Sequence, residues 1–70
     1  MSRLPQYSGR ECVSRLERFG FRVVRQRGSH IVMRRDEPFA QVVVPDHQAI
    51  DRGTLRAIIR QAGLQPEDFA

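Results

Sequence analysis

Apolar positions change their spacing twice along the chain. Cys12, Val13, Leu16 and Phe19 recur at intervals of three and four, with Arg10, Glu11, Arg15, Glu17 and Arg18 mostly on the opposite side, which predicts an amphipathic helix with one buried stripe. Ser8-Gly9-Arg10-Glu11 ahead of it has the form of a capping box, in which the Ser8 hydroxyl and the Glu11 carboxylate satisfy free N–H groups of the first turn. Gly20 supplies the stop. From Phe21 the period shortens: Phe21 to Gln26, Ile31 to Arg35 and Gln41 to Val44 read as strands. Turns are predicted at Arg27-Gly28-Ser29 and Asp36-Glu37-Pro38, and Pro45 closes the third strand. Two short connections in succession make an antiparallel meander.

The helical period returns after the loop Pro45 to Ile50. Asp51 is a suitable N-cap, Leu55, Ile58, Ile59 and Ala62 form a buried stripe, and Arg52, Arg56 and Arg60 recur every four residues on another face. Gly63 ends this helix, and Leu64 to Ala70, with Pro66 and Phe69, predicts a short closing turn. Met1 to Tyr7 reads as a loosely held arm, with Pro5 discouraging helix at Leu4. The order α-β-β-β-α defines an α+β class: a three-stranded antiparallel sheet with two helices on one face, like double-stranded-RNA-binding domains. In the second strand the period of two sends Ile31 and Met33 to the helix-packed side, and His30, Val32 and Arg34 to the open side.

Composition narrows the function. Seventy residues suffice for one domain, 1–70, with one core. A chain of this size buries only about 60% of the surface its unfolded form exposes, so a stabilising partner fits its thermodynamics. One cysteine, Cys12, excludes an internal disulfide and any thiolate framework for zinc. Charges interrupt the first thirty residues throughout, so no signal-peptide core is expected, and the expected location is the cytoplasm. All twelve basic residues are arginine, against eight acidic ones, for a net charge of +4. The guanidinium fork grips phosphate bidentately and stacks on bases, which points to nucleic acid; a GC-rich coding sequence is the simpler account of the missing lysine, but does not explain where the arginines fall.

Two histidines carry the candidate chemistry. His30 follows Gly28 and Ser29, where glycine permits positive φ or close backbone approach and Ser29 adds a hydroxyl and a turn N–H. Arg22, Arg25, Arg27, Arg34 and Arg35 lie on the same hairpin, apart from Asp36 and Glu37 at its far turn. A phosphodiester would find charge, donors and a proton-transfer group there; the alternative is an ordinary hairpin turn with an exposed histidine. His47 sits in the loop before the second helix, as a second candidate or as a helix-entry residue. Gly53-Thr54-Leu55 could receive a phosphate on helix N–H groups or be simply capped by Thr54. His30, His47 and Cys12 lie in separate elements without carboxylates at ligand spacing, so neither a metal nor another cofactor is expected. Cys12 belongs to the buried stripe, and Ser29 and His30, as neighbours in a strand, point apart; neither Cys12 nor Ser29 is expected as a nucleophile.

Four segments in order resemble the HicA family of prokaryotic toxins: Leu16-Glu-Arg-Phe-Gly-Phe21, Arg25-Gln-Arg-Gly-Ser-His30, Val43-Val-Pro-Asp-His47, and Arg52 through Gly63. The resemblance implies a double-stranded-RNA-binding-like fold, cleavage of mRNA with arrest of translation, and neutralisation by a HicB antitoxin. It places the catalytic histidine at His30 and carries the V-P-x-H element onto His47, whose role the resemblance leaves open. Arg27 stands where the family often has lysine, and Ile31 where it often has histidine or an aliphatic. The combined expectation is a metal-independent endoribonuclease with His30 as general acid or base and Gly28, Ser29, Arg25, Arg27, Arg34 and His47 around the phosphate. The alternatives are an RNA-binding module of the same fold without catalysis, and a basic face that only receives an acidic partner.

Overall fold

The computed structural model describes residues 4–70. Helix α1 (Gly9–Glu17) leads into strands β1 (Arg22–Arg27), β2 (His30–Asp36) and β3 (Phe39–Pro45), followed by helix α2 (Arg52–Gln61) and a 3₁₀ turn at Pro66–Phe69. The sheet is antiparallel in the order β1-β2-β3. The α-β-β-β-α reading therefore holds; β1 lies one residue later than the apolar pattern marks, β2 is two residues longer and β3 three, with Pro45 inside it.

Both helices begin as their sequences require. Ser8 Oγ accepts from Glu11 N at 3.0 Å while Glu11 Oε1 accepts from Ser8 N at 2.9 Å, the reciprocal capping box. The Asp51 carboxylate accepts from Gly53 N at 3.0 Å and Thr54 N at 3.3 Å, so the cap of α2 is Asp51 and its first turn already holds an anion. Cys12, Leu16, Leu55, Ile58 and Ile59 from the helices meet Ile31, Met33, Val42 and Val44 from one face of the sheet in a single core. Val32 is buried too, yet stands outside that core on the open face, flanked by Arg25 and Val43 across the strands.

The arm is not loose over its described part. Leu4 and Tyr7 are buried, Tyr7 Oη donates to Phe69 O at 2.7 Å, and the two rings stand 5.3 Å apart. Ile50 N in turn donates to Tyr7 O at 2.7 Å. So small a domain recruits apolar side chains from both chain ends to complete its core, which the local pattern around Pro5 does not reveal. Met1 to Arg3 lie outside the described residues.

Candidate functional site: the exposed end of the β1–β2 hairpin

Gly28 and Ser29 form a two-residue hairpin turn between the paired residues Arg27 and His30. Gly28 has φ +56° and Ser29 does not have positive φ, the pattern of a type II′ turn with glycine at its first central position. A Cβ at Gly28 would meet nothing within 4 Å. Positive φ, and not close packing, is therefore what requires glycine here.

Paired residues in an antiparallel ladder project to the same side of the sheet. His30 pairs with Arg27 on one flank and Pro45 on the other, Val32 with Arg25 and Val43, and Arg34 with Arg22 and Gln41. The register of β1 skips between Val23 and Arg25, where Val24 is accommodated as an extra residue. This bulge re-phases the strand. Arg22 and Arg25 would otherwise face opposite sides; with it, Arg22, Arg25 and Arg27 share the open face with His30. All three are exposed, as are Ser29 and His30.

The arginines of the hairpin divide into three groups. Arg25 and Arg27 flank the His30 end and make no ion pair among the described residues. At the other end Arg22 Nη1 reaches Asp36 Oδ2 at 3.0 Å, and Arg34 Nε lies 3.5 Å from Asp36 Oδ1 without hydrogen-bond alignment. Asp36 is thus among the arginines, contrary to its expected separation from them. Arg34 itself stands four residues along β2 from His30, about 13 Å at strand rise.

Arg35 leaves the cluster altogether. It faces the helices, with its guanidinium carbon 4.6 Å from the Phe21 ring centroid, and donates to Pro38 O at 2.9 Å, Ala62 O at 3.1 Å and Phe19 O at 3.5 Å. Unpaired carbonyls at the helix C-termini attract a cation, and Arg35 is the charge that the strand end brings to them. Its role is architectural.

His47 comes near the hairpin through the backbone. Beyond the His30–Pro45 pair, Asp46 N donates to Ser29 O at 2.7 Å, and His47 O accepts from Gly9 N at 2.8 Å. Its imidazole is exposed. Three residues not picked out from the sequence hold this junction. Asp46 Oδ2 accepts from Arg10 at 3.0 Å and from Gln26 Nε2 at 3.2 Å, and Gln26 Nε2 also donates to Gly28 O at 3.0 Å. The Gly28–Ser29 turn, the His47 loop and the start of α1 are thereby tied together. The one signal available beforehand was Gly9 within the capping box: a Cβ there would collide with Pro45 O.

The remaining candidates fall elsewhere. The first turn of α2 is occupied by the Asp51 carboxylate rather than open to a phosphate or capped by Thr54. Arg52, Arg56 and Arg60 are exposed on α2, which packs against the other face of the sheet. Cys12 is fully buried, and burial pushes its thiol up to about 12, which leaves it unreactive at neutral pH.

A small α+β domain carrying an arginine-flanked histidine at one end of its open sheet face is the class of protein that fold and site define. Residues 9–64 match the family model described as HicA toxin of bacterial toxin–antitoxin, and the chain belongs to that family. Its role is accordingly that of the toxin in a toxin–antitoxin pair. No curated protein matches the chain. Among the described residues no helix is long and apolar enough to cross a membrane.

Proposed function

We propose that this toxin is a metal-independent endoribonuclease that cleaves mRNA and so stops translation, with His30 as its catalytic acid or base. The observation that carries the reading is the rung Arg27–His30–Pro45, which pairs an exposed histidine with an exposed arginine that makes no ion pair among the described residues. In the reaction His30 removes the proton from a ribose 2′-OH, the 2′-oxygen attacks the adjacent phosphorus, and the bond from phosphorus to the 5′-oxygen breaks. Water or His47 returns a proton to the departing oxygen. The products are a 2′,3′-cyclic phosphate and a 5′-hydroxyl, and no metal enters the balance.

Arg27 and Arg25 neutralise charge gathering on the phosphate, the larger electrostatic part of such catalysis. Ser29 and the turn backbone add donors, and Arg34 holds the strand farther along. General acid–base assistance supplies about 10²- to 10⁴-fold. Substrate and toxin meet in the cytoplasm, and a HicB-like antitoxin is the partner that restrains the activity.

Incubation of the purified toxin with RNA in EDTA tests this. Cleavage by the wild type and its loss by at least about 100-fold in His30→Ala is the expected result, with a 2′-deoxy substitution at the cleaved nucleotide blocking the reaction. Undiminished cleavage by His30→Ala overturns the assignment. RNA binding without cleavage under any condition would identify a non-catalytic binding module instead.

A further inference from the structure

The open face of the sheet extends well beyond His30, and its two edges differ in chemistry. Along β1 run Arg27, Arg25 and Arg22. Along β3 the corresponding positions are Pro45, Val43, Gln41 and Phe39. Phe39 is 68% exposed and Val43 44% exposed, although the domain is small enough to recruit its chain ends into the core. Two interstrand spacings, about 10 Å, separate the charged column from the apolar one, a width comparable with the reach from a nucleotide's phosphate to its base. Among the described strand residues paired on this face, Asp36 is the one carboxylate; Arg22 and Arg34 lie against it, and the face keeps a net positive charge.

From this arrangement we infer that the open face is a platform for single-stranded RNA, with β1 arginines along the phosphates and Phe39 stacking a base at the far end. Phe39 pairs with Asp36, six residues along β2 from His30, or about 20 Å at strand rise. A strand whose cleaved phosphate lies at His30 thus reaches Phe39 only several nucleotides away. Stacking requires bases free of a partner strand, so the platform selects unpaired RNA. Charge complementarity favours RNA over a second copy of this basic chain. The inference rests on the proposed reading of RNA as substrate but does not depend on cleavage.

The test is binding of a labelled 2′-O-methyl RNA, about ten nucleotides long and resistant to the 2′-OH reaction, within the site sizes of single-strand binders. Phe39→Ala is expected to weaken it about 5- to 100-fold, the range for losing one stacked base, while Phe39→Trp retains affinity. A duplex of equal length should bind wild type and Phe39→Ala alike. Circular dichroism verifies that the exposed substitution leaves the fold intact. Equal affinity of Phe39→Ala and wild type for the single strand overturns the inference, as does an equal loss on the duplex. So does an effect confined to antitoxin binding or to the oligomeric state. Retained cleavage by His30→Ala would instead overturn the catalytic reading and leave this one standing.

Discussion

Arg27 and His30 face each other as the last pair of the β1–β2 ladder, with only Gly28 and Ser29 between them. Cross-strand partners have Cβ atoms about 4.5–5.5 Å apart, so a phosphate reached by the imidazole is also within reach of the guanidinium. Arg27→Gln should therefore lower cleavage strongly while leaving thermal stability within about 0.5 kcal/mol, because the side chain is exposed and makes no ion pair among the described residues. Binding measured against salt should show the slope of log K falling by about 0.7, the loss of one phosphate contact on a single strand. An unchanged slope would remove Arg27 from the RNA surface.

Asp46 acts at one remove from that pair. Its carboxylate accepts from both Arg10 and Gln26, and Gln26 holds the Gly28 carbonyl. Asp46→Ala leaves those donors to solvent and loosens the turn that presents His30. Partly exposed bonds of this kind contribute about 1 kcal/mol, so the melting temperature should fall by roughly 4–8 °C. Cleavage should fall with it, and Asp46→Asn, which keeps an acceptor oxygen, should restore most of both. Thermal unfolding and RNA cleavage on the same preparations check this.

Gly9 sets how closely α1 approaches the β3–α2 loop. An added Cβ would collide with Pro45 O and lie 2.9 Å from Asp46 Cα. Both atoms belong to the backbone, so no side-chain rotation relieves the clash. Gly9→Ala should cost about 1–3 kcal/mol in denaturant unfolding, as overpacking does elsewhere, despite alanine's better helix propensity. A stabilised Gly9→Ala would show that the loop moves freely.

Cys12 predicts a pH dependence on the alkaline side. Burial raises its folded pKa from 9.0 to about 12, so between those values the unfolded chain has released a proton that the folded chain retains. Stability contributed by the buried neutral thiol is complete below about 9 and declines as pH rises toward 12. Cys12→Ala should flatten that decline in urea midpoints measured across the range. Iodoacetamide should label wild type only after unfolding.

The hairpin shows where local reading stopped. Strand β2 was legible because Ile31 and Met33 alternate with His30 and Arg34, and one face is buried. The facing of β1 was not: Val23 and Val24 fit either phase, and only pairing against β2 reveals the extra residue that turns Arg22 toward the same side as Arg25. Asp36 looked remote because it lies at the far turn, yet Arg22 returns to it across the ladder at 3.0 Å.

Sequence alone determined the element order, both helix caps, the glycine turn before His30 and the burial of Cys12, since each depends on residues within about one helical turn or one hairpin of each other. Tertiary structure decided which arginines share the open face, that Arg35 serves the helix ends, that Leu4 and Tyr7 complete the core, and that Asp46 joins Arg10 to Gln26. Those contacts link residues far apart in the chain, and their partners are defined only once the strands are in register and both helices have closed over one side of the sheet.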